Sequence, residues 1–279
     1  MPNWLATMAT LTSYFGYQFF WNAIAAGTLS AVLGAVVGYF VVLRNVNFAA
    51  HALSHIGFTG AAAAALFGID ALQGILIFSV AAALGIGVSG DRLQRSEMAI
   101  GMVLSFSLGL GTLFLHLCQN SAAKAKAILF GQPFGVSTGQ VIEMALLSII
   151  SLATLAFFAR KLLFVSIQPR LAEARGLSLT GMSMAFMVIL AFSVSLASQI
   201  VGILLVFTLV IAPAGIVLRF CRSFWRGVLS AVALSVVVVW AGLLLDCATN
   251  LPSTFWITSI FFVIYLAVEA WFRFVRRER

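Results

Sequence analysis

Residues 47–67 read NFAAHALSHIGFTGAAAAALF, in which the apolar run from Phe48 to Phe67 is broken only by His51, Ser54, His55 and Thr59. At 1.5 Å per residue a helix of this length crosses about 30 Å, the thickness of bilayer hydrocarbon. Two histidines four apart on a helix project from one face, one turn above the other. Ionisable side chains are rare in hydrocarbon and mark function there, and imidazole suits divalent transition cations. His51 and His55 are therefore candidate metal ligands, the alternative being two satisfied core histidines. Ala52 stands where the zinc-protease pattern His-Glu-x-x-His requires glutamate, so no hydrolase and no catalytic residue is expected.

Composition extends this reading to the whole chain. With 62% hydrophobic and 9% charged residues and a mean hydropathy of +1.11, the sequence is far from a soluble domain, whose charged share is about a quarter. An all-α, polytopic transmembrane bundle is expected. Three scattered cysteines, Cys118, Cys221 and Cys247, give neither a disulfide framework nor a zinc knuckle. No removable signal peptide is read at the N-terminus.

Nine spans are expected, with eight as the alternative. Residues 1–16, with Trp4, Tyr14 and Phe15, suit the membrane interface. Residues 17–272 form the transmembrane domain, and 273–279 form a basic tail. The spans run from Tyr17 to Leu43, Asn47 to Phe67, Ala71 to Gly90, Met98 to Cys118, Val141 to Ala159, Gly181 to Ser198, Ile200 to Leu218, Gly227 to Leu245 and Phe255 to Phe272. Gly34 and Gly38 form a Gly-x-x-x-Gly pair for close helix contact. Gly85 to Gly90 matches a dinucleotide fingerprint in letters only, since it ends an apolar helix rather than joining a strand to one. Pro213, with Gly215 after it, predicts a kink or a broken helix lining a cavity.

Nine spans with the N-terminus outside place all but Lys124 and Lys126 of the 16 lysines and arginines on the cytoplasmic side. That is the positive-inside pattern. It explains the net charge of +8 without nucleic acid. Asp70, Glu143 and Asp246 fall at outer helix ends, where carboxylates could draw in a cation or simply be solvated. If Arg44 marks the inner headgroups, His51 lies roughly 10 Å and His55 roughly 16 Å into the bilayer, the depth expected of a transport site.

One cytoplasmic loop differs from the rest. In Gln168-Pro169-Arg170-Leu171-Ala172-Glu173-Ala174-Arg175-Gly176-Leu177, proline suits the first helical position and glycine the residue after the helix. A two-turn helix outside the membrane is either an interfacial connector or a docking element for a partner that supplies energy, because the chain has no nucleotide-binding motif of its own.

Five blocks in order resemble the permease subunits of bacterial zinc and manganese ABC importers. They are Phe40 to Arg44 with His51 to Gly60, Ser96 to Gly101, Leu129-Phe130-Gly131, Gln168 to Leu177, and Val201 to Val206 with Ala212-Pro213-Ala214. The resemblance covers roughly Trp21 to Leu266. It implies a homodimer in the bacterial cytoplasmic membrane, with the metal passing between two copies along the His51/His55 helix. It implies that Pro169, Arg170, Leu171, Glu173, Arg175 and Gly176 seat against a separate cytoplasmic ATP-binding subunit, that an extracytoplasmic protein delivers the metal, and that Gly202 and Pro213 mark a break in a pathway helix. No cofactor is then held permanently; zinc or manganese is cargo, and ATP is used by the partner. The chain departs from the family where His51 replaces an aspartate, where Met98 replaces an acidic residue and at Pro252-Ser253-Thr254. The imidazole favours zinc or copper-like ions over manganese; an importer of manganese or iron from the same family is the alternative. A secondary metal-cation carrier remains the alternative of another class.

Overall fold

The structure, a computed structural model, describes residues 16–88, 97–118, 128–221 and 223–277. Residues 1–15 of the expected interfacial segment 1–16, the charged turn with Arg92 and Arg95, and the segment with Lys124 and Lys126 lie outside the described residues. The helices are α1 (Gln18–Leu43), α2 (Asn47–Phe67), α3 (Ala71–Val88), α4 (Glu97–Leu117), α5 (Thr138–Ile167), α6 (Pro169–Ala174), α7 (Leu179–Val201), α8 (Ile203–Val217), α9 (Phe224–Thr249) and α10 (Ser253–Arg277). Eight of them are long and apolar enough to cross a membrane; α8, at 15 residues, is shorter. The expected seventh span is thus a short helix, and the reason lies at Gly202.

Gly202 ends α7 and precedes α8 with φ 78° and ψ 156°. That backbone region is essentially reserved for glycine, so the chain turns there rather than at Gln199. A Cβ on Gly202 would collide with the backbone of Phe130 and Gly131. Pro213, by contrast, lies inside α8 without ending it, so of the expected kink or break at that residue the break does not occur. The fifth span is also longer than expected: α5 has 30 residues and runs through Arg160 and Lys161. A capping box between Ser137 and Gln140 starts it.

Contacts between remote segments define two ends of the bundle. At one end, called the A end, Asn22 donates to the Val136 carbonyl and to Thr138, Gly202 meets Phe130, and Thr254 donates to the Phe130 carbonyl. At the other, the B end, Arg44 donates to Ser183, Tyr39 packs on Phe224, and Arg219 pairs with Glu269. Hence α1 starts at the A end and α10 finishes at the B end. Short as it is, α8 returns the chain from one end to the other.

The central element is α1. One core cluster joins Leu33, Val37 and Phe40 to α2, α3, α5 and α7; a second joins Ala26 and Ala31 to α8, α9 and α10. Gly34 and Gly38 face Leu209 and Val210 of α8, and a Cβ on Gly38 would overlap the Val210 carbonyl. The Gly-x-x-x-Gly expectation is met, with α8 as the partner.

Candidate metal pathway

The sequence of α2 divides its surface. Gly57 faces Ile75 and Ser79, and Gly60 meets Gly74 backbone to backbone, so small residues draw α3 close. Thr59 donates to the Ser107 carbonyl of α4 at 2.6 Å, which satisfies both groups in the apolar interior. His51 and His55 lie on another face, half-buried. Their ring centroids are 4.5 Å apart at 74°. His51 also packs edge-on against Phe207 of α8, with centroids 4.6 Å apart.

Two imidazole nitrogens bound to one tetrahedral zinc lie about 3.3 Å apart, given bonds of about 2.0–2.1 Å. Rings whose centres are 4.5 Å apart can meet that spacing by side-chain rotation. Nδ1 of His51 is buried without a hydrogen-bond partner. Among the described residues no three His, Cys, Asp or Glu side chains gather into a metal-holding cluster. One copy of the chain therefore offers two imidazoles here and leaves half of a tetrahedron open.

The other expected residues fall in separate places. Asp70 and Asp246 are at the A end, where each carboxylate accepts a backbone hydrogen bond, from Leu72 and Ser253 respectively. Those bonds fix helix ends. Glu143 lies exposed in the first turns of α5. No described hydrogen bond or ion pair joins these three carboxylates to one another or to the histidines.

The short helix stands at the B end. Ala172 is fully buried and its N–H bonds to the Gln168 carbonyl. Around it Pro169, Arg170, Leu171, Glu173, Arg175 and Gly176 are all exposed. Arg175 covers the Phe164 ring at 5.4 Å, and Gly176 takes φ 79° to leave the helix. The helix is thus anchored by one alanine and open to its surroundings on its other sides.

Two features escaped the sequence reading. Phe207 as the neighbour of His51 had no local signal, because the contact joins residues 156 positions apart in the chain. Glu97, quoted in a motif but given no role, lines a pocket with His51.

The model of the ABC 3 transport family matches residues 16–271. Among curated relatives, the manganese transport system membrane protein MntC of Listeria monocytogenes is 28% identical over 93% of this chain and 94% of that one. The high-affinity zinc uptake system membrane protein ZnuB of Haemophilus influenzae is 26% identical over 90% and 97%. Among solved structures, PsaBC from Streptococcus pneumoniae in complex with Fab superposes with a TM-score of 0.82 at 23% identity, over 94% of each chain.

Proposed function

The chain belongs to the ABC 3 transport family, and from that premise we propose that this multi-pass, non-catalytic permease subunit imports a divalent transition metal, zinc in preference to manganese. The observation that carries the proposal is the pair His51 and His55, 4.5 Å apart on a half-buried helix face. Relatives bear manganese, zinc and iron names, so the zinc reading rests on the donor set. Two neutral nitrogens suit the later first-row metals, whereas manganese prefers oxygen.

A second copy of the chain would supply another His51 and His55, closing a four-nitrogen site on the dimer axis. The B end faces the cytoplasm in this proposal, with the N-terminus outside and the C-terminus inside. Arg44, Arg160, Lys161, Arg170, Arg175, Arg219, Arg226 and Arg273 all belong to B-end segments, whereas Asp70, Glu143 and Asp246 belong to the A end. That distribution follows the positive-inside rule. The membrane is the bacterial cytoplasmic membrane. The exposed side of α6 seats against a cytoplasmic ATP-binding subunit, and an extracytoplasmic binding protein delivers the metal at the A end. Asp70, Glu143 and Asp246 there add negative potential toward the arriving cation.

A secondary carrier would need an acidic residue at mid-depth for ion coupling. Among the described residues, every carboxylate on a spanning helix lies near a helix end: Glu97, Glu143, Asp246 and Glu269. The test is zinc uptake by the permease reconstituted with its ATPase in sealed vesicles. Uptake should require ATP and should vanish in His55→Ala, while that variant still inserts and binds the ATPase. ATP-independent uptake, or normal uptake by His55→Ala, would refute the assignment.

A further inference from the structure

The connection from α8 to α9 and the last turns of α10 meet in one corner of the B end. Phe220 packs on Phe272 with ring centroids 5.1 Å apart, Arg219 lies over the Tyr265 ring, and Glu269 pairs with both Arg219 and Arg273. Arg226, in the first turn of α9, is exposed and makes no hydrogen bond or ion pair among the described residues. A cation in a first turn is disfavoured by the helix dipole, so stabilising α9 does not account for it. Three arginines against one glutamate leave two positive charges uncompensated, and the sequence continues as Arg276-Arg277-Glu278-Arg279. Large aromatic side chains are bared beside this charge: Phe220, Trp225 and Trp271 are 54, 76 and 65% exposed. Exposed tryptophan among arginines is the composition of a membrane interface, where the ring sits at headgroup level. The proposed ATPase seat is of another kind, since residues 168–177 hold no aromatic residue and α6 packs chiefly on α5 and α7.

We infer that this corner binds the headgroup of an anionic phospholipid of the cytoplasmic leaflet, its phosphate held by Arg226 and Arg273 and its glycerol region flanked by Trp225 and Trp271. A guanidinium offers five N–H donors in a planar fork that suits phosphate oxygens. Arg273 gives Nε to Glu269, and its two terminal nitrogens remain for a ligand. Glu269 then has a positioning role, because by joining Arg219 to Arg273 it fixes the α8–α9 connection against α10. Basic clusters between helices on the cytoplasmic side attract anionic lipid through the same charge. The proposed orientation is used only to name the leaflet, and the inference is independent of the metal carried.

The experiment mixes the whole chain, purified in detergent, with equal amounts of phosphatidylglycerol and phosphatidylcholine and counts the lipid retained by native mass spectrometry. The wild type should prefer phosphatidylglycerol, less strongly as salt is raised. Arg226→Gln should lower that preference about fivefold, and Arg226→Gln with Arg273→Gln about 25-fold, from the usual attraction of a surface arginine to anionic lipid. Arg226→Lys should keep most of it. Arg170→Gln with Arg175→Gln removes the same charge at α6 and should leave the preference unchanged. If Arg273→Gln loosens the end of α10, Arg226→Gln decides alone, since that side chain has no partner to lose. No preference in the wild type, an unchanged preference in Arg226→Gln, or an equal loss in the α6 pair overturns the site, the last because the whole basic rim would then be acting. So does an Arg226→Gln variant that keeps its lipid but releases the ATPase or a second copy of the chain, which would make the corner a protein contact. His55→Ala should keep the lipid preference whether or not it transports, so failure here and failure of the import reading are distinct.

Discussion

Replacing Gly202 by alanine tests the feature that sets the length of α8. At φ 78° and ψ 156° a residue with a Cβ carries strain of about 1–3 kcal/mol. The added methyl would also meet the backbone of Phe130 and Gly131, and overpacking of that kind costs a further 1–3 kcal/mol or so. The combined penalty is roughly 2–6 kcal/mol, and at about 2 °C per kcal/mol for a chain of this size the melting midpoint should fall by roughly 4–12 °C. Gly215→Ala supplies the contrast within the same helix. No atom lies within 4 Å of a Cβ built there, and alanine in a helix interior is favoured over glycine by about 0.5–1 kcal/mol. That midpoint should hold or rise slightly. Both variants would be followed by thermal unfolding of the detergent-solubilised protein. If Gly202→Ala melts with the wild type, or if the two variants shift together, the turn at Gly202 does not bear the strain assigned to it.

Two further outcomes concern coupling and selectivity. Ala172→Pro removes the N–H that bonds Gln168 and should cost about 3 kcal/mol locally, so uptake should fail while zinc still binds; normal ATPase coupling in pull-down and turnover assays would make α6 a mere connector. His51→Asp exchanges a nitrogen ligand for a charged oxygen and should move the zinc-to-manganese uptake ratio toward manganese, measured in the same vesicles near pH 7.5; an unchanged ratio would assign selectivity to another part of the system.

Most of the helices were readable from hydropathy because lipid leaves a spanning segment few choices of backbone. The histidine pair was readable from its i, i+4 spacing. The division between α7 and α8 was not, since Ser198 and Gln199 interrupt the apolar pattern more visibly than Gly202 does. The left-handed turn is fixed by Phe130 and Gly131, about 70 residues earlier. Pro213 does not end its helix for a related reason. A proline removes one hydrogen bond, but α8 is packed against α1 at Leu209 and Val210, and it stays helical on both sides of the residue. Arg160 and Lys161 suggested an end to the fifth span, yet a helix that continues into water tolerates charge, so α5 extends to Ile167. The pocket at Glu97 depends on which face α4 turns toward α2, and that is decided by Thr59 with Ser107 and by Phe58 against Gly111. No window of sequence contains both partners.

The length of α5 also has a mechanical consequence. Thirty residues make a rod of about 45 Å, longer than the hydrocarbon is thick. Gln168 alone separates its end from α6, which leaves no slack in which a push on the short helix could be absorbed. A tilt of 3° at that end sweeps the opposite tip through about 2 Å. There the rod begins at Thr138, where Asn22 grips both Thr138 and the Val136 carbonyl. The two hydrogen bonds from Asn22 thus pin the start of the same rigid rod whose other end carries α6.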